Sequence, residues 1–266
     1  IISDDGLQHL KLARDYGIDQ IVGEDKIGKE YIFVKGEGQD SYENVLIVAH
    51  YDNTGITLNA EESIVATINK GDYYIIEGDK FSDGNLYVST SEKVFAYQGV
   101  GGAGEANQGM FFVPPLSCES RGDVNNIAFI DEIGDNTLTG GVTIVTKGIA
   151  TVLINTTDIA SQPAGITVVG PSTVTGKNEY VTYKVTGLSG NVTVSSSDEL
   201  YSAYYNQNGA ATSGSFYAGF PSDPNVSLNL VASALGSCIS SEGTSNVTFE
   251  VSNAGSYDSL QWIKKD

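Results

Sequence analysis

The chain has 266 residues, with 33 Asp and Glu against 14 Lys and Arg, a net charge of −19. That charge repels phosphate backbones and anionic lipid headgroups, whose binding exchanges counterions for Lys and Arg, and with only Arg14 and Arg121 no bidentate phosphate-reading surface can be built. Nucleic acid and membrane surface are therefore excluded as partners, while 40% hydrophobic and 18% charged residues give the chain enough apolar material for real cores.

The chain opens Ile1-Ile2-Ser3 without a basic-then-apolar leader, which reads as a processed product or a piece of a longer polypeptide. Ser3 to Gly17 is the one expected helix. Ser3 would cap it, Asp4 and Asp5 suit the positive end of its dipole, Leu7 and Leu10 share a face, and Gly17 would end it. After Gly23 the runs shorten and alternate as strands do: Tyr31–Lys35, Asn44–His50, Ile64–Ile68, Tyr73–Glu77, Asn85–Ser89 and Lys93–Gln98, separated by Gly, Asp and Asn turns. The rhythm resumes at Val142–Lys147 and runs through Tyr180–Thr186, Val192–Ser195, Leu200–Tyr205 and Phe216–Phe220. Gly, Tyr, Val, Thr, Ile and Ser dominate, and no apolar run approaches the ~18 residues that a spanning helix needs. The expected fold class is all-β: tandem antiparallel β-sandwich-like units with a short N-terminal helix.

An internal repeat underlies the rhythm. Gly84–Phe95 lies over Gly190–Tyr201 with five of twelve positions identical, and both copies run through a small-residue loop into an aromatic strand, Gly109–Phe112 against Gly214–Tyr217. This sets the expected division: an N-terminal segment 1–23, a first β unit 24–140, a related second unit 141–237, and the start of an immunoglobulin-like domain at 238–266. The last is marked by the strand Asn246–Val251 and by Trp262, before which the sheet is still open.

Three patterns could carry chemistry. Gly99-Val100-Gly101-Gly102-Ala103-Gly104 satisfies G-x-G-x-x-G after a strand, but a dinucleotide site needs a helix at the last glycine, and here Met110–Pro115 is extended and ends in a double proline. A hairpin loop is expected instead. The run Asn44–Asp52 places His50-x-Asp52 after a hydrophobic strand, as in co-catalytic zinc aminopeptidases, with Glu61-Glu62 where a catalytic pair would stand. Two zinc ions need a second histidine and more carboxylates downstream, and the other histidine is His9, upstream. Turn aspartates (Asp72, Asp79, Asp83, Asp131, Asp135, Asp223, Asp258) could serve structural calcium, but no D-x-D-x-D-G loop exists, and turn carboxylates ordinarily cap backbone amides.

Shorter signals are weaker still. Arg121-Gly122-Asp123 matches the integrin tripeptide, Asp258-Ser259-Leu260 a short bacterial O-glycosylation motif, and no Gly-x-Ser-x-Gly elbow supports a serine triad. Cys118 and Cys238 are as consistent with a disulfide as with two separate thiols. No catalytic, cofactor-binding or metal-ligating residue is assigned.

The run Asn44–Asn59, Gly71-Asp72-Tyr73, Gly84–Ser91, Lys93–Gly99 and Val113-Pro114-Pro115-Leu116 resembles the N-terminal module of the IgGFc-binding protein family. Ile27–Tyr31 and Asn206–Phe220 are similar to its Bacteroidetes branch, found in giant surface proteins that include gliding-motility adhesins exported by the type IX secretion system. The resemblance covers about 20–237. It carries over no catalytic residue, and it does not imply immunoglobulin binding by a bacterial copy.

The resemblance implies a non-enzymatic, extracellular segment of a large multidomain adhesin at the bacterial outer surface. It would contact surface polysaccharide, substratum or other cell-surface proteins, and the rest of its own chain, and would need no cofactor. The alternatives are a carbohydrate-binding module, for which exposed Tyr on one face would be the clue, and a degenerate zinc aminopeptidase-like hydrolase.

Overall fold

The structure is a computed structural model that describes residues 2–3, 17–18, 22–41, 43–100, 109–117, 122–208, 211–219, 225–230 and 247–252. Two compact units divide the chain, Ile1–Pro221 and Ser222–Asp266. Among the described residues the second unit contributes one antiparallel pair, Asn225–Leu230 with Val247–Ser252; Trp262, Asp258 and Cys238 lie outside them.

Within the first unit the strands are β1 (Gly28–Val34), β2 (Asn44–Ala49), β3 (Thr54–Leu58), β4 (Ala66–Ile68), β5 (Tyr73–Glu77), β6 (Asn85–Val100), β7 (Gly109–Phe112), β8 (Asp123–Ile127), β9 (Thr139–Lys147), β10 (Val152–Ile154), β11 (Thr157–Asp158), β12 (Thr167–Thr173), β13 (Tyr180–Leu188), β14 (Val192–Ser196), β15 (Leu200–Asn208) and β16 (Ala211–Ala218). All pairings are antiparallel. The fold is two tandem β-sandwiches.

The first sandwich is organised around β6. Its first half pairs with β1 and β3, and its second half with β2 and β7, so the seven strands form one continuous sheet through it. The expectation of two strands here, Asn85–Ser89 and Lys93–Gln98, is corrected to one. Within it the Ser91 hydroxyl accepts the Gly55 N–H at 2.9 Å, as the Ser197 hydroxyl accepts the Thr151 N–H at 2.9 Å in the second sandwich. Between the halves lies a core of Tyr31, Phe33, Val45, Ile47, Ile56, Leu86, Val88 and Val94.

The second sandwich does break the equivalent strand. The Ser196 hydroxyl accepts the Asp198 N–H and the Asp198 carboxylate accepts the Glu199 N–H, local bonds that compete with the ladder and separate β14 from β15. The order β8-β14-β10-β11 makes one sheet and β12-β13-β9-β15-β16 the other, with Val142, Ile144, Val152, Ile154, Val185, Val192 and Val194 between them. Pro171 sits in the bulge of edge strand β12, where a missing donor discourages further pairing.

The two sandwiches pair their strands in matching register. Val88 lies opposite Tyr31 and Leu58, as Val194 lies opposite Val124 and Ile154. Val48 lies opposite Phe95, as Val145 lies opposite Tyr201. Across the next pairing the aromatic match is one residue off: Phe112 faces Tyr97 where Phe216 faces Ala203, so Phe112 and not Phe111 corresponds to Phe216.

Other expectations change. Ser3 and Gly17 are strand partners of each other, not helix caps, flanked by the β-branched pair Ile2 and Ile18; residues 4–16 lie outside the described residues. The dividing point at 140/141 falls inside β9, and β8, placed in the first unit by that division, pairs with β14 of the second sandwich.

The sandwiches are packed against each other. Alternation along β1 sends Tyr31 and Phe33 into the first core and Ile32 and Val34 out of it, where they join Tyr87, Val145, Val174, Tyr180 and Tyr201 in a shared cluster. Ala203 and Tyr205 of β15 reach the first core itself. Every residue from Tyr31 to Val34 is thus buried, which explains an apolar run without polar alternation.

Candidate functional site

The motifs do not assemble a catalytic centre among the described residues. Gly99 and Val100 end β6, and β7 returns antiparallel to it; residues 101–108, with the rest of the glycine run, lie outside the described residues. His50 Nε2 stands 3.4 Å from the Glu24 carboxylate, while the Asp52 carboxylate accepts the Lys70 backbone N–H at 3.1 Å. The pair that would hold zinc is therefore turned to separate partners. Glu61 and Glu62 are exposed, His9 and Cys118 lie outside the described residues, and no group of three His, Cys, Asp or Glu converges among those described.

The turn aspartates do local work. Asp72 accepts the Asn69 N–H, Asp131 the Gly190 N–H at 2.7 Å, and Asp79 pairs with Lys80. The integrin tripeptide is not a projecting loop at its last two residues. Asp123 pairs with Ser195, and a Cβ on Gly122 would meet the Ser196 carbonyl at 2.5 Å.

Charge is concentrated where the sandwiches meet. A cleft of about 190 Å³ is lined by Glu30, Leu116 and Ser117 on one side and Lys147, Lys177, Glu179, Tyr180 and Glu199 on the other. Lys177 Nζ lies 2.7 Å from Glu30, which also accepts the Tyr87 hydroxyl. Glu199 accepts the Tyr180 hydroxyl at 2.7 Å and lies 3.2 Å from the Tyr201 hydroxyl oxygen, with Lys147 Nζ 3.6 Å away and 3.8 Å above the Tyr180 ring.

Burial pushes the Glu30 carboxyl up, but the Lys177 and Tyr87 hydrogen bonds and the lysine charges outweigh it and hold it below the usual carboxylate range. Burial, then the bond to the neighbouring carboxylate, raises both Tyr87 and Tyr180. Two lysines, two glutamates and three tyrosines thus satisfy one another, an arrangement suited to clamping two bodies together. The cluster leaves no local sequence pattern, because its members come from five separate stretches of chain.

The open surface is elsewhere. On the outer face of the first sandwich, Tyr73, Val48 and Phe95 form one row across β5, β2 and β6. His50 continues it, with ring centroids 4.7 Å from Tyr51 and 5.9 Å from Phe95, both edge-on. Tyr73 is 53% exposed and Tyr51 40%. Exposed aromatic side chains grouped on one sheet face mark an interaction surface.

Tandem sandwiches clamped by a satisfied polar cluster, with an aromatic row left open on one of them, define the class of an all-β binding module. The chain belongs to the IgGFc-binding family: the family model described as IgGFc binding protein matches residues 6–206. This is a family of binding modules, not enzymes, typically extracellular or secreted. No curated protein and no solved structure matches the chain. No helix among the described residues is long and apolar enough to cross a membrane.

Proposed function

We propose that the chain is a non-enzymatic segment of a large multidomain adhesin on the outer surface of a bacterial cell, serving gliding motility or surface attachment and exported by the type IX system. Family membership supports the binding role, and the single observation that carries the mechanical part is the clamp between the sandwiches. Lys177–Glu30 and Lys184–Glu37, beside the apolar cluster of Ile32, Val34, Val145 and Tyr201, make a stiff element from two short modules. A charge of −19 keeps such elements soluble and apart when crowded. We read the two sandwiches as copies of one unit, and adhesion as the sum of many weak contacts along linked modules.

The test deletes the coding region for residues 24–237 and confirms surface display of the remainder with an antibody. Attachment and surface movement should fall; if both persist while a hydrolytic activity disappears, the adhesin reading fails. A second reading, polysaccharide binding, is favoured by the exposure of Tyr73 on the outer sheet face and of Tyr51 in the turn after β2. It expects retention on a polysaccharide matrix that Tyr73→Ala abolishes.

A further inference from the structure

The register that relates the sandwiches also relates their outer faces. Val48, flanked by Tyr73 and Phe95, corresponds to Val145, flanked by Thr182 and Tyr201. In the second sandwich this row is an interface. Val145 is 4% exposed, Thr182 3% and Tyr201 3%, covered by the outward side chains Ile32 and Val34 of β1 and Tyr87 of β6, with Asn85 Nδ2 donating to the Thr182 hydroxyl at 3.2 Å. In the first sandwich the same row carries larger apolar groups and is less covered: Tyr73 is exposed, while Val48 and Phe95 are half-buried, Phe95 against the cluster of Ile27, Tyr97 and Phe112.

We infer that the row Tyr73, Val48 and Phe95 is a docking surface for another sandwich of this build, supplied by a separate domain that presents an outward aliphatic residue on its first strand beside an outward tyrosine on the neighbouring strand. The occupant follows from the interface already in the molecule, where Ile32 and Tyr87 fill that role. A plain second copy does not qualify. Its own Ile32 face is already used, and the positions of its second sandwich that follow Val124 and precede Val194, as Ile32 follows Tyr31 and Tyr87 precedes Val88, are Asn125, in the bulge of β8, and Thr193. Asn125 is exposed and Thr193 only partly covered, a polar surface that ends the stacking on that side. This inference rests on the repeat and not on the adhesin reading.

The experiment gives the full chain the missing donor face. Asn125→Ile with Thr193→Tyr should make copies associate head to tail in sedimentation equilibrium, as a heterologous contact does, while the wild-type chain does not. Adding Val48→Glu to that variant leaves a donor without an acceptor, which should form a 1:1 complex with wild type and none with itself. Circular dichroism checks that each variant is folded, and Tyr73→Lys, at the exposed end of the row, serves as the block if Val48→Glu weakens the fold. Either block should weaken association by about tenfold or more. A monomeric double variant, or association unaffected by either block, would overturn the proposal. So would retention of wild type on polysaccharide that is lost with Tyr73→Ala while the double variant stays monomeric, since the row would then belong to a sugar.

Discussion

Asn59 and Asn155 perform the same task in the two sandwiches. Each is left-handed, with φ of 49° and 48°. Asn59 donates its backbone N–H to the Tyr87 carbonyl at 2.8 Å and accepts the Tyr87 N–H on Oδ1 at 3.2 Å. Asn155 does the same with Thr193, at 2.9 Å and 2.8 Å. The side chain thus stands in for the next rung of the ladder where the strand turns away. Asparagine is among the few residues that tolerate this backbone conformation while supplying such an acceptor.

Replacing Asn155 by Ala should therefore lose both the hydrogen bond and the tolerated backbone, destabilising the protein by ~1–3 kcal/mol. Asn155→Gly restores the backbone freedom and should recover part of that loss. Urea unfolding of the three proteins checks the order wild type, Gly, Ala; an Ala variant as stable as wild type would contradict it.

Tyr201 fastens the segment between the sandwiches. The Ser117 N–H donates to its hydroxyl oxygen at 2.6 Å, and that hydroxyl donates to the Ser117 carbonyl at 2.8 Å. Tyr201→Phe keeps the ring in the shared apolar cluster and removes both bonds, at a cost of ~1–3 kcal/mol for the partly buried backbone groups left behind. The expected signature is a lower urea midpoint at unchanged slope.

Acid stability should report on Glu30. Its carboxyl is held below the ordinary range, so the folded state favours the ionised form. That contribution is present above the ordinary carboxylate pKa of ~4.3 and is lost as pH falls through the lowered folded value. Glu30→Gln should be less stable than wild type at neutral pH, with the difference shrinking as the solution is acidified below about pH 4. Midpoints measured across that range decide it, and a constant difference would contradict the assignment.

Alkaline stability runs the other way. Burial raises Tyr31, Tyr87, Tyr180 and Tyr205, with Glu30 and Glu199 adding to the effect on Tyr87 and Tyr180. Neutral phenols are favoured in the folded state, so the contribution is complete below the unfolded pKa of ~10 and is lost as pH rises above it. Tyrosinate absorbance from the buried tyrosines should then appear together with loss of the β-sheet signal. Tyr180→Phe should shift that transition to higher pH.

Much of the β architecture is written locally. Short alternating runs, Gly and Asn turns and a β-branched, aromatic composition specify strands, because side-chain period and turn chemistry act over a few residues. The match of Gly84–Phe95 with Gly190–Tyr201 is legible for the same reason, and the structure places Val88 and Val194, and Phe95 and Tyr201, in corresponding pairings. Which face of a strand meets which neighbour is a different matter. Val48 and Val145 sit in like contexts along the chain, yet Val145 is buried by β1 of the other sandwich and Val48 is not. Likewise Lys177 gives no local sign that it will meet Glu30 from far earlier in the chain. The sequence by itself determined strands, turns and the repeat, through interactions between near neighbours. Tertiary structure alone decided the clamp and the open aromatic row, because long-range packing selects which of two similar faces is covered.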